Sequence, residues 1–343
     1  MNMTYRTRRR LSRLGTVLGI ILMAAAVILV CWFLWLERYV VYSADGAEIR
    51  LDQPYTFEEG ELALPPEEAT VSIFYNEGDN KVDTSSELGQ ISGSYASTSM
   101  LLDSVEAVDS AIQALPSGSA VMLDLKSIYG NFYYNTDIPG APVADALDAS
   151  QVDKLIRNLA ASDYYLIARI PAFRDRAFGL ENTNYGLPTS RGYLWADDQN
   201  CYWLDPTSNG TLSYLIAIAN ELRELGFDEV VFWEFRFPDT SDIIFNSTLT
   251  RDEAIAQAAS VLVSSCATEQ FAVSFESDDE SFPLPEGRTR LYLTGVSAAK
   301  AQSVLDNSTV PVKESQLVFV TEANDTRFDI ASVIRTLAVT GTG

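Results

Sequence analysis

The 343-residue chain contains no histidine. That excludes a Ser-His-Asp or Cys-His arrangement, a His-ligated zinc and imidazole acid–base chemistry. Cysteine is nearly as scarce, with only Cys31, Cys201 and Cys266. Three are too few for a disulfide framework or a thiolate metal cluster, so neither a metal nor a cofactor is expected, and nothing requires Cys201 and Cys266 to pair. No Gly-rich phosphate loop follows the first β-like run of the main domain, which leaves nucleotide binding without support. Basic residues are few, 24 Lys and Arg against 47 Asp and Glu, for a formal charge of −23. Five of the 24 (Arg6, Arg8, Arg9, Arg10 and Arg13) precede the first acid, Glu37, so the chain beyond Leu36 holds 19 basic against 47 acidic side chains, a balance of −28. Such a surface repels nucleic acid and anionic lipid headgroups. Carboxylate is the chemistry left in quantity.

A charge-free run extends from Leu14 to Leu36, and about 20 apolar residues suffice to cross a bilayer. The arginine cluster before it predicts a cytoplasmic tail over 1–13, a transmembrane helix over 14–36 and everything later outside the cell. Trp32 and Trp35 fall at the outer end, where interfacial aromatics sit. The competing reading is a cleaved signal peptide, but the run ends in Cys-Trp-Phe-Leu-Trp-Leu, bulky where a signal peptidase requires small residues.

Tyr39–Tyr42 and Ala47–Leu51 are β-prone, and Ser-Ala-Asp-Gly between them carries hairpin-turn chemistry. With the acidic Pro65-Pro66 segment and a further β-like run at Val71–Tyr75, this predicts a β stalk and linker over 37–89. From residue 90 to 343 the texture becomes alternating β and α. Strands are expected at Ile91–Tyr95, Ala120–Leu125, Tyr165–Ile170, Glu229–Phe235, Phe271–Phe275, Thr289–Leu293 and Leu317–Val320. Helix-like blocks fall at Leu101–Leu115, Ala149–Ser162, Leu212–Leu225, Arg251–Ser265 and Ala298–Leu305, and a last block, Phe328–Leu337, closes the chain. Ser150, followed by Asp153, reads as a helix start and Gly226 as a helix stop. The fold class is α/β. The span suits a (β/α)8 TIM-like barrel, while an open doubly wound sheet gives the same alternation.

Three blocks carry a resemblance: Val-Met-Leu-Asp-Leu-Lys over 121–126, Tyr-Leu-Ile-Ala-Arg-Ile over 165–170 with Phe-Arg-Asp over 173–175, and Leu-Gly-Phe-Asp-Glu-Val-Val-Phe-Trp-Glu-Phe-Arg-Phe-Pro over 225–238. Trp195 and Trp-Leu-Asp-Pro over 203–206 lie between the second and third. In order and spacing they resemble a bacterial family of glycosyl hydrolases with a TIM-barrel domain, related in outline to the α-amylase clan. The resemblance covers about residues 90–240 and implies a carbohydrate-active barrel acting on polysaccharide or cell-wall glycan. It also exposes a departure: where the family has Asp, this chain has Trp233, immediately before Glu234. Neighbouring strand residues face opposite ways, so Glu234 replaces that carboxylate only if the strand end is bulged or twisted. Glu276 matches a strand-terminal Asp of the relatives.

Glycoside hydrolysis needs two carboxyls flanking the scissile bond, and in a barrel they come from the C-terminal ends of different strands. Asp124, Glu234 and Glu276 are the catalytic candidates on that ground. Each has a plainer reading: an Asp124 salt bridge to Arg169, a Glu234 paired with Arg236, and a Glu276 in an exposed acidic loop. Arg169, Trp195, Trp203, Trp233 and Arg236 are the substrate-binding candidates, the aromatics with Tyr202 as a sugar-stacking platform extended by Tyr129, Phe132, Tyr133 and Tyr134. Core packing explains some of these aromatics equally well. Asp205, before Pro206, suits a turn at a helix entry. Three functions stay open: a membrane-anchored hydrolase, a non-catalytic glycan-binding descendant, and a structural envelope protein.

Overall fold

A computed structural model describes residues 88–339 and the backbone of 40–43 and 46–49. The expected membrane segment and the Val71–Tyr75 strand lie outside the described residues. Among the described residues no helix is long and apolar enough to cross a membrane. Strands β1 (Val40–Ser43) and β2 (Gly46–Ile49) form an antiparallel hairpin with Ser43 opposite Gly46.

The rest is a closed barrel of eight parallel strands, in the order β10-β3-β4-β5-β6-β7-β8-β9. They are β3 (Ser92–Ala96), β4 (Ala120–Asp124), β5 (Tyr165–Pro171), β6 (Glu229–Trp233), β7 (Ala272–Ser277), β8 (Leu291–Leu293), β9 (Leu317–Thr321) and β10 (Ser332–Thr336). The main helices are α1 (Thr98–Asp103), α2 (Val105–Gln113), α3 (Ala149–Ala160), α4 (Arg176–Glu181), α5 (Asn209–Glu224), α6 (Arg251–Cys266), α7 (Ala301–Asn307) and α8 (Lys313–Gln316). Seven strands fall where the sequence placed them. The eighth corrects the reading of Phe328–Leu337 as a closing helix-like block: its core, Ser332–Thr336, is the strand that seals the barrel against β3.

Two apolar layers hold the fold. Inside the barrel, Met122, Ile167, Val231, Tyr292, Val318 and Ile334 fill one layer. Outside, alternate strand residues such as Leu123, Leu166, Val230 and Phe275 pack against helix faces that include Val152, Leu155 and Leu159 of α3. Strands enclosed on both faces show unbroken burial, as β4 does. Each fully buried aliphatic or aromatic side chain contributes about 1.5–3 kcal/mol. Gly93 is required by a close approach, since a Cβ there would sit 1.9 Å from the Ala120 carbonyl oxygen.

The helix ends follow local chemistry. Asp148, not Ser150, caps α3, its side chain accepting from the Ser150 N–H. A Ser104 cap divides the expected Leu101–Leu115 helix into α1 and α2. Gly226 stops α5 at φ +93°, with Phe227 N–H bonded to Leu222 O and Gly226 N–H to Arg223 O, both bonds of a Schellman ending.

The barrel floor is a sealed polar plug. Glu229 and Arg290, 0% and 1% exposed, pair there. Ser274 Oγ also donates to Glu229, as does the Tyr165 hydroxyl at 2.9 Å, while Arg290 reaches Ser315 O at 2.9 Å and Gly89 O at 3.0 Å. Every charged atom of this pair has a partner, as burial of charge demands.

Candidate active site at the barrel mouth

The parity that puts Met122, Ile167 and Val231 inside the barrel also points Asp124, Arg169 and Trp233 inward, two residues further along. Glu276, in register with inward-facing Tyr292, joins them. Arg169 is the centre. Its Nη1 donates to Asp124 at 2.9 Å, and its Nε and Nη2 donate to both oxygens of Glu276 at 2.6 and 2.7 Å. Such a fork is the strong, directional form of the ion pair. The guanidinium also lies 4.4 Å from the centre of the Trp233 ring, within cation–π range. Burial works against the Arg169 charge, but the hydrogen bonds and charges of Glu276 and Asp124 more than offset it and hold the cation more firmly than usual. Tyr95 donates to Asp124 from β3. Burial first, then the Asp124 charge, holds its phenol well above its ordinary value.

Glu234 lies just past the end of β6 with φ +48°, a left-handed conformation uncommon for a non-glycine residue and found at strained functional positions. The chain therefore leaves the regular strand geometry at Glu234, the residue that follows Trp233. Two arginines hold it: Arg174 Nη1 at 3.0 Å and Arg236 Nη2 at 2.8 Å. Arg174 is fixed in turn by Asp197 at 2.6 Å. Burial alone raises the Asp197 carboxyl, but bonds from the Cys201 N–H and the Trp203 indole, with the Arg174 charge, carry it below its ordinary value.

A cavity of about 820 Å³ opens above these residues. Glu234 and Glu276 line it together with Arg169, Trp233 and Arg236. Asp124 stands behind Arg169 rather than on the cavity wall. The plainer readings of Asp124 and Glu234 as partners of Arg169 and Arg236 are therefore physically present, and so is their gathering at one mouth. Among the described residues no group of three or more His, Cys, Asp or Glu side chains is placed to hold a metal ion.

Half of the aromatic platform is core: Trp203, Phe132, Tyr133 and Tyr134 are buried, whereas Trp195, Tyr202 and Trp233 are half-buried and Tyr129 is exposed. Trp203 is 3% exposed, its indole donating to Asp197 at 3.1 Å, so its face is covered by protein and not open to a sugar. Arg236 lies over that ring, 5.1 Å from its centre. Trp195 is half-buried and packs against the barrel core. Phe132, Tyr133 and Tyr134 are buried and anchor the loop after β4, where the Tyr134 hydroxyl meets Glu221 at 2.6 Å. Trp233 keeps the cavity-facing role. Asp205 makes a local turn, accepting from the Thr207 N–H at 2.8 Å. Cys201 and Cys266 are free, buried thiols.

Sequence reasoning missed Tyr95, Arg174 and Asp197. Arg174 stands inside a block that carried the resemblance, so a signal was there, whereas Tyr95 and Asp197 offered only a hydroxyl on a strand and one acid among many.

Among solved structures, the chain is similar to a hypothetical protein from Ruminiclostridium thermocellum at 24% identity, covering 53% of this chain and 96% of that one, with a TM-score of 0.44. It is also similar to the family 20 exo-β-N-acetylglucosaminidase of Vibrio harveyi at 11% identity, covering 67% of this chain and 41% of that one, with a TM-score of 0.50. The α-galactosidase of Lactobacillus brevis matches at 8% identity, covering 75% of this chain and 38% of that one, with a TM-score of 0.49. The chain thus spans less than half of either enzyme, and at 11% identity the likeness to the Vibrio harveyi enzyme is one of fold. No curated protein matches the sequence. Residues 95–273, just over half of the chain and most of the barrel, match the family model described as "Putative glycosyl hydrolase domain", and to that family the chain belongs.

Proposed function

We propose that this barrel hydrolyses a glycan at its mouth, with Glu234 and Glu276 as the two working carboxyls and Asp124 as the group that steadies Arg169. The observation that carries this is the shared cavity: both glutamates line it together with Trp233, each near one-tenth exposed. Carboxyls on neighbouring strands can divide the labour of protonating the leaving oxygen and attacking or activating water. Trp233 supplies a flat apolar face for a sugar ring. The substrate is a polysaccharide or cell-wall glycan outside the cell, and the Leu14–Leu36 run anchors the domain to the membrane with its N-terminus inside. Protease added to intact spheroplasts then digests the domain, and full protection overturns that topology.

A glycan panel with the full-length protein tests the chemistry. Glu276→Gln is expected to lose about 10²–10⁴-fold in rate, the usual worth of a general acid or base. A second reading, glycan binding without hydrolysis, is favoured by one observation: arginines already engage all three candidate carboxylates, while Trp233 stands where the family resemblance implies Asp. Binding without turnover, unchanged in Glu276→Gln and lost in Trp233→Ala, selects it.

A further inference from the structure

Resting on the glycan reading above, we propose that the mouth selects a glycan bearing protonated amines, an amino-sugar polymer with unacetylated nitrogens, over neutral and uronate-bearing ones. The argument begins with the charges on the cavity wall. Three guanidiniums line it, those of Arg169, Arg236 and Arg251, against six carboxylates. Two of the three are already committed to acids, Arg169 to Asp124 and Glu276, and Arg236 to Glu234. Arg251 is turned onto the Thr240 carbonyl and lies over the Phe237 ring. The cavity therefore presents no uncommitted cation cluster to a carboxylate, sulfate or phosphate on a sugar.

Its acids are a different matter. Asp239, on the loop after β6, and Asp278, on the loop after β7, both line the cavity and are exposed. Among the described residues neither has a hydrogen-bond or ionic partner to satisfy it. They stand on the two loops that rise from the ends of the strands leading to Glu234 and Glu276. A cationic sugar seated between those loops meets two free carboxylates and the Trp233 ring, and ammonium groups are attracted to both. An anionic sugar meets net negative charge in a concave site, where low-dielectric walls focus the field.

Equilibrium binding by the full-length protein tests this with three probes of matched length: glucosamine oligomers below neutral pH, the N-acetylated oligomers, and galacturonate oligomers. The glucosamine oligomers are expected to bind about tenfold tighter than the N-acetylated ones at low salt, with the gap closing as salt screens the charges. Galacturonate is expected not to bind. The double variant Asp239→Asn/Asp278→Asn narrows the gap by about three- to tenfold. Asp163→Asn/Glu224→Gln removes the same charge at the opposite end of the barrel and leaves the gap in place. Equal narrowing in the two double variants means general surface attraction and overturns the proposal. N-acetylated or galacturonate oligomers binding as tightly as glucosamine oligomers overturns it too, while leaving the glycan reading intact. Failure of every glycan to bind removes the glycan reading itself, and this selectivity with it.

Discussion

The two ends of the barrel are built from the same parts and put to different use. At the floor, Arg290 meets one carboxylate, Glu229, and Tyr165 donates to that carboxylate while its ring lies 5.3 Å from the guanidinium carbon. At the mouth, Arg169 meets two carboxylates, Asp124 and Glu276, and Tyr95 donates to Asp124 with its ring 5.6 Å from the guanidinium carbon. The floor balances its charge one for one and excludes water; the mouth holds an excess of acid and opens onto a cavity. A surplus carboxylate is costly for stability and useful for chemistry. Its location therefore separates the end that holds the fold together from the end that can act.

The largest expected effect breaks the floor. Arg290→Met leaves Glu229 charged in a dry interior and is expected to cost about 3–5 kcal/mol in denaturant unfolding. A loss under about 1 kcal/mol would mean the floor is not the structural end. At the mouth, Arg169→Met strips the partner from two carboxylates that still reach water, so a smaller cost of about 1–3 kcal/mol is expected from the same measurement. A mouth loss exceeding the floor loss would reverse the comparison.

The smallest effect is one the two ends share. Burial pushes the thiols of Cys201, in the excursion that holds Asp197, and Cys266, at the end of α6, each up to about 11. A group that holds its proton more tightly when folded leaves stability untouched below its unfolded value and erodes it as pH rises towards the folded one. Unfolding free energy should thus decline from near the ordinary thiol value of 9.0 up to about 11, with buried tyrosines adding a loss of the same sign from about 10 upward. Cys201→Ala and Cys266→Ala should flatten that slope by similar amounts in a pH series of denaturant titrations.

Much of this architecture is legible in the amino-acid sequence. Seven strands announced themselves as short apolar runs between helical periodicities. The eighth did not, because Ser332–Thr336 reads Ser-Val-Ile-Arg-Thr, and two apolar residues among three polar ones make too short a run to mark a strand. At the site, Asp124, Arg169 and Glu276 were legible as strand-end residues, since a closed barrel leaves them one place to converge. Trp203 was not, because an indole in a core and an indole in a cleft look the same in sequence. Asp197 escaped for another reason: its partner Arg174 lies 23 residues away, across a loop whose path no local propensity dictates.

The seam between β10 and β3 has a consequence for the order of events in the life of the chain. It joins residues such as Ile91 and Ser332, 241 positions apart. Until Ser332–Thr336 has been synthesised, β3 and β9 each keep an unsatisfied edge, and the interior lacks Ile334. An open parallel sheet of that kind is slow to complete and prone to pair with a neighbour. The nascent domain thus stays adhesive until β10 has been made. A chain stopped short of residue 332 should therefore be recovered as aggregate, not as a smaller folded protein.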